Sequence, residues 1–258
     1  MTAPVRWYRR SRATDLEFQD EGFVLSARSH GDTGAVVELL TEQLGRRAAY
    51  VAGGASRRMK PFLQPGAKVL ADFRSRTSDQ LGSARLEPMG EGPAALFDDP
   101  LALTGLSAAA AVAGGALPER EPFPGAFYAF EALMNAFAVP EIWPAIFVRF
   151  EAGLLESLGF GLDLSRCAAT GDTDELIWVS PRTGRAVSRK AGEPYADKLL
   201  RLPPFLLGAQ AGLDDGDVRD GLALTGHFLE AHIFHALNKP LPAARFWMID
   251  KLQEAQRL

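Results

Sequence analysis

Between Gln43 and Ala71 the chain carries six basic residues, Arg46, Arg47, Arg57, Arg58, Lys60 and Lys68, and no acidic one. The whole chain has 28 Lys and Arg against 32 Asp and Glu, a net charge of −4. A local positive zone on an acidic protein attracts phosphate chains. The same window holds Gly45, Gly53, Gly54 and Gly66, where backbone can come close to a partner. Tyr50 and Phe62, and Phe73 just beyond, are rings of the kind on which bases stack, although Phe73 shares a strand face with Val69 and Ala71 and reads as core. Arg46, Arg47, Arg57, Arg58 and Lys60 are the expected phosphate contacts, with Lys68, Arg74 and Arg76 as secondary candidates. Neutralising about six phosphates predicts a salt slope near −4 in a log–log plot of affinity for single strands.

Other chemistries find less support. His227, His232 and His235 fall on one predicted helix, but no H-E-x-x-H or E-x-x-H pattern accompanies them. With Val218, Leu222, Leu229, Ile233 and Leu237 on the opposite side, they read as the polar face of an amphipathic helix. There is no nucleophile elbow, phosphate-binding loop or dinucleotide glycine fingerprint, so no catalytic site is expected. The units Cys167-Ala-Ala-Thr170 and Ser188-Arg-Lys-Ala191 have the span of the ligand pairs in a zinc ribbon. One thiolate of four possible remains, and Thr, Ser and Ala cannot complete a structural zinc site. Cys167 is therefore expected to be a buried thiol, with no metal or cofactor bound.

The elements that must position the basic window read as β. Gly22–His30, Thr33–Thr41, Gly45–Gly53, Ala67–Arg76 and Gly82–Pro88 are five short strand candidates separated by turn signals. Such a run suggests a small closed or nearly closed barrel. After residue 93 the texture turns helical: Pro100–Ala116, Pro124–Ala138, a stripe from Ile146 to Leu158 ended by Gly159, Asp217–Leu237 and Ala243–Gln256. Gly161–Glu193 reads as irregular or short β.

Charge divides with texture. Residues 1–90 hold 14 basic and 10 acidic residues, and residues 91–258 hold 14 and 22. Arg6, Arg9, Arg10 and Arg12 account for the excess at the front, in a segment without the apolar run of a signal peptide. The single cysteine excludes an internal disulfide and suits a reducing cytoplasm. The uncharged stretch before Glu119 is mostly Ala and Gly, which points to a closely packed helix and away from a membrane span.

Three segments resemble a known family. EGFVLSARSHGDTGAVVELLTEQLGRRAAYVAGGASRR (Glu21–Arg58) is similar to the amino-terminal strand region of bacterial RecO, a family of recombination mediators. RFEAGLLESLGFGLDLSRCAATG (Arg149–Gly171) resembles the central helix leading into that family's zinc-finger-like insert, and SPRTGRAVS (Ser180–Ser188) the second half of the insert. The resemblance implies an α+β protein: an N-terminal OB-fold β-barrel followed by an α-helical domain with a degenerate zinc-finger-like insert. It maps to a basic tail (1–15), the barrel (16–92), a first helical part (93–160), the insert (161–193) and a second helical part (194–258). It also implies binding of single- and double-stranded DNA, annealing of complementary strands, and loading of RecA together with RecR onto strands coated by single-strand-binding protein (SSB). The SSB C-terminal tail is expected on the last helices, with Leu237, Phe246, Trp247 and Ile249 as an apolar pocket and Lys239, Arg245 and Lys251 as its rim. Two rivals remain open at this point: an OB-type scaffold that binds proteins without touching DNA, and a hydrolase using the histidine helix.

Overall fold

The computed structural model describes residues 16–75, 81–90, 92–208, 213–214 and 216–258. The basic tail over residues 1–15 and Arg76 lie outside them. Contacts group the chain into two units that divide at Tyr128 and Ala129.

In the first unit, β1 (Leu16–His30), β2 (Gly34–Thr41), β3 (Gly45–Val51), β4 (Lys68–Ser75) and β5 (Gly82–Pro88) close a barrel in the order β1-β2-β3-β5-β4. This is the expected OB-like architecture. Period-two alternation drives it: Val37 and Leu39, Ala49 and Val51, Val69, Ala71 and Phe73, and Ala84 and Leu86 all point into one core with Val24. Phe73, 4% exposed, is thus a core residue and no stacking platform.

β1 is longer than its apolar pattern suggests. Its first half pairs with β4 from Leu16↔Ser75 to Phe23↔Lys68. Asp20 interrupts the pattern because it has a different task. Its Oδ2 accepts the backbone N–H groups of Gln43 and Leu44 at 2.8 and 2.9 Å, holding the β2–β3 turn. A bulge between Val24 and Ser26 then redirects the strand. From Ser26 to His30 every residue of β1 is exposed. This stretch runs beyond the pairing with β4 and pairs with β2, whose Ala35 and Val37 stay in the barrel core, so the end of β1 is an exposed edge, the β1–β2 arm.

The seam between β3 and β5 is parallel and only two pairs long, Ala49↔Gly82 and Tyr50↔Ser83. That leaves the first half of β3 as an edge, which the chain covers itself. α1 (Pro100–Ala116) lies on β1 and β2, and the strap that follows it runs beside β3, with the Arg120 N–H donating to the Arg46 carbonyl at 2.8 Å. Gly45, at φ +71°, makes room: a Cβ there would sit 2.0 Å from the Glu121 carbonyl oxygen. α1 starts cleanly because Asp99 Oδ1 accepts the N–H groups of Leu101 and Ala102 at 3.0 Å each and Pro100 opens the first turn. Composition changes at residue 93, but packing divides later because α1 rests on the barrel. α2 (Pro124–Ala136) spans the division.

The second unit is built on α3 (Trp143–Ser157), whose Phe147, Phe150, Leu154 and Leu155 are buried. Phe130 meets Phe150 edge-on at 5.8 Å and Phe137 tilts against Trp143 at 5.3 Å. α5 (Asp217–Phe228) packs on α3, brought close by Gly221, where a Cβ would come within 2.8 Å of Val148. Beyond Phe228 the expected uniform helix widens into a π turn over Leu229–Phe234. That change of spacing leaves Leu237 45% exposed, outside the apolar stripe predicted for it. α6 (Ala243–Glu254) ends the fold.

Between α3 and α5 lies a three-stranded sheet of order β7-β6-β8, made by β6 (Leu176–Val179), β7 (Ala186–Ser188) and β8 (Leu200–Arg201), with the single turn α4 (Arg189–Gly192) after β7. Among the described residues no helix is long and apolar enough to cross a membrane.

Candidate nucleic-acid interface

The acid-free window does not form one continuous ribbon. Its six cations divide into two groups with different surroundings, and this corrects the expectation from sequence.

Arg46 is turned inward on the strap side. It pairs with Glu38, donates from Nε to the Leu117 carbonyl at 2.7 Å and lies 3.8 Å from Glu119. Lys68 sits 3.2 Å from Glu21 and 5.6 Å from the centre of the Phe23 ring. Arg74, the outlying candidate on β4, pairs with Glu17 at 3.3 Å. Arg47 faces the barrel end, because its cross-strand partner Leu39 points into the core. Its guanidinium lies 5.7 Å from the centre of Phe18 and 5.9 Å from that of Phe73. Burial, with the nearby Arg120, lowers its pKa from the usual guanidinium range. These four cations are engaged by carboxylates, carbonyls or rings; Arg46, Arg47 and Lys68 are so inside the unit, and Arg74, 69% exposed, at its surface.

Arg57, Arg58 and Lys60 behave differently. All three are exposed on the connection between β3 and β4. Among the described residues none of them has a carboxylate within 4.0 Å. A fourth unpaired cation joins them: Arg28, on the exposed end of β1. Arg28 and Lys60 line the same groove, about 360 Å³, between the arm and the connection. Tyr50 is half-buried on this outer face, its ring over Gly34 and edge-on to His30 at 5.9 Å. Phe62 is half-buried beside Lys60. The sequence reading missed Arg28 because it precedes the acid-free window. Its signal was the lost alternation of Ser26–His30, polar or small at nearly every position.

The residues expected to hold an acidic, apolar tail also divide. Phe246 and Trp247 are 50% and 54% exposed, and Leu237 and Lys239 are exposed too. Phe246, Ile249, Leu222 and Leu241 line a groove of about 280 Å³ with Arg219 and His227. Arg245 is no rim residue. It is 3% exposed and clasped by Glu151. Lys251 is paired with Glu254 at 2.5 Å.

In the insert, Cys167 Sγ accepts hydrogen bonds from Ser188 N at 3.3 Å and Ser188 Oγ at 3.4 Å. Ser188, expected from sequence at the place of a zinc-ribbon ligand, serves the thiol as a donor. Those residues do not fit a zinc ion. Nor do the histidines gather. His227 Nε2 lies 3.1 Å from the Pro181 carbonyl, His232 is stacked between Phe160 and Phe228, and His235 is exposed. Among the described residues no three His, Cys, Asp or Glu side chains converge on a point that could hold a metal.

Comparison with known proteins places this geometry. Residues 16–87 match the family model described as "Recombination protein O N terminal", and residues 98–240 the one described as "Recombination protein O C terminal". A protein of Phenylobacterium zucineum named DNA repair protein RecO is 74% identical over 243 residues, 94% of this chain and all of that relative. Proteins of the same name from Rhodospirillum centenum and Methylorubrum populi are 52% and 47% identical, covering 93% and 90% of this chain and 96% and 97% of their own. The chain, with its OB-like barrel and helical second unit, belongs to the RecO family.

Proposed function

We propose that this protein acts in DNA repair as a DNA-binding recombination mediator. It would anneal complementary strands and help RecR load RecA onto single strands coated by SSB. The observation that carries the reading is the set of four unpaired cations, Arg28, Arg57, Arg58 and Lys60, at one end of an OB-like barrel in a chain of this family. Contacts from such cations go to phosphates and leave base edges free to pair. Two mutually repelling polyanions can then be held side by side, and annealing follows without any bond being made or broken.

The test is annealing of complementary oligonucleotides, bare and SSB-coated, comparing the wild type with the double variant Arg57→Glu/Arg58→Glu. The variant is expected to lose most strand binding and annealing together. Salt-insensitive binding, or annealing that survives the reversal, rules the reading out in favour of a protein-binding scaffold.

For the SSB tail we propose the groove between α5 and α6. Phe246 and Ile249 offer the apolar wall and Arg219 the positive edge. Phe246→Ala and Arg219→Glu are expected to weaken a tail peptide about tenfold each, a usual scale for an aromatic or charged anchor. Unchanged affinity in both moves the tail to another surface.

A further inference from the structure

The groove between the β1–β2 arm and the β3–β4 connection is more than a charged surface. Its two walls come from chain segments far apart in sequence, and each supplies one unpaired cation: Arg28 from the arm and Lys60 from the connection. Between them lie Ala27, Ser29, Leu63 and Gln64. Leu25, Ala35 and Leu63, all buried, give the groove an apolar base, while Ser26, Ser29 and Gln64 make the rest of its lining polar, with Arg28 and Lys60 as its charged groups. A volume of about 360 Å³ is at the small end of small-molecule clefts, roughly 300–1,000 Å³. That is room for one nucleotide-sized group and too little for a duplex, whose bases are stacked and paired inside and offer mainly phosphates to such a rim.

We propose that this groove seats one nucleotide of an unpaired strand. Its base enters between the walls, and its flanking phosphates lie on Arg28 and Lys60. The inference rests on the DNA-binding reading and deepens it. Arg57 and Arg58 attract any phosphate chain, whereas the groove distinguishes a single strand from a duplex.

Two variants test it, one on each property of the groove. Ala27 and Arg28 are both exposed, so neither substitution disturbs the barrel core. Ala27→Leu fills the groove without changing charge or adding a ring. Arg28→Gln removes one rim charge. The probes are a labelled oligothymidylate and a duplex of the same length, each titrated at several salt concentrations. Ala27→Leu is expected to weaken the single strand about tenfold, the scale of one lost base contact, and to leave the duplex within about twofold. Arg28→Gln is expected to make the single-strand salt slope shallower by about 0.7, one phosphate's share. If the wild type binds oligothymidylate but both variants keep its affinity and slope, or weaken strand and duplex equally, the groove proposal is overturned while DNA binding stands. Absence of binding to either probe by the wild type overturns both readings.

Discussion

Arg245 on α6 and Glu151 on α3 meet fork to fork inside the helical unit. Nε of Arg245 is 2.6 Å from Oε1 of Glu151, and Nη2 is 2.9 Å from Oε2. The pair is 3% and 0% exposed. Further hydrogen bonds support it: Nη2 also donates to the Leu222 carbonyl at 2.7 Å, and Thr225 Oγ1 donates to Oε2 at 2.5 Å. One ion pair thus ties α3, α5 and α6 together.

Removing one partner strands a buried charge, at a cost of about 3–5 kcal/mol. Glu151→Gln and Arg245→Met are each expected to lose that much in urea denaturation. The double variant Glu151→Leu/Arg245→Met should regain much of it, because no charge is then left alone. Burial pulls the Arg245 pKa down, but the Glu151 carboxylate outweighs it and the net shift is upward. A raised pKa gives stability that is present below the ordinary guanidinium range and lost only above it, so the wild-type pair contributes evenly across neutral pH. A double variant as unstable as the worse single one would show that the residues act separately.

The strap beside β3 yields a second prediction. Gly45 combines a left-handed backbone with a Cβ position already filled by the Glu121 carbonyl. Gly45→Ala is expected to cost more than the ~1–2 kcal/mol of the backbone conformation alone, since the strap must also move. Because Arg46 donates to Leu117 on that strap, hydrogen exchange should rise at the Arg120 amide, which bonds the Arg46 carbonyl. An unchanged exchange rate there would mean that the strap is held by other contacts.

The barrel was legible because strands that bury one face must alternate, as β4 and β5 do, and because turn signals bound β2, a run of β-formers buried on both faces. The start of β1 was not, since Asp20 breaks the alternation in order to hold a turn that forms more than twenty positions later. The interface was half legible. A linear window shows which cations lack acidic neighbours in sequence, but Glu38, Glu119 and Glu21, which engage Arg46 and Lys68, lie outside it and arrive by strand pairing and by the strap. Arg28 arrives in the same way from the other direction. Arg245 was misplaced for a related reason: on its own helix it looks like a surface charge, and the carboxylate that buries it is on α3.

Those corrections change the expected electrostatics. With Arg46, Arg47 and Lys68 engaged inside the unit and Arg74 paired with Glu17 at its surface, the unpaired cations left for phosphate among the described residues of the candidate interface are four: Arg28, Arg57, Arg58 and Lys60. A slope of about −0.7 per phosphate on single strands then gives near −3, shallower than the −4 read from sequence. Charge-reversing Arg46 should disturb stability more than DNA affinity, whereas Arg57→Gln should leave stability alone and reduce the slope by about 0.7. Fluorescence anisotropy over a salt series, with denaturation of the same variants, separates the two. Equal effects of Arg46 and Arg57 on the slope would restore the continuous ribbon.

The last prediction concerns the thiol in the insert. Cys167 is 1% exposed, and burial by itself would push its pKa up. Hydrogen bonds from Ser188 and Thr170 outweigh burial and bring it down to about 6. A free cysteine titrates near 8.5. A depressed pKa gives stability that is complete above the unfolded value and lost as pH falls through the folded one. The folded protein should therefore gain stability between about pH 6 and 8.5. Ser188→Ala removes the hydroxyl donor, keeps the N–H donor, and should raise the thiol pKa and shrink that gain. The ultraviolet absorbance of the thiolate reads the pKa directly, and denaturation at several pH values reads the gain. A wild-type midpoint at the ordinary thiol value would show that the Ser188 contacts do not favour the thiolate over the neutral thiol.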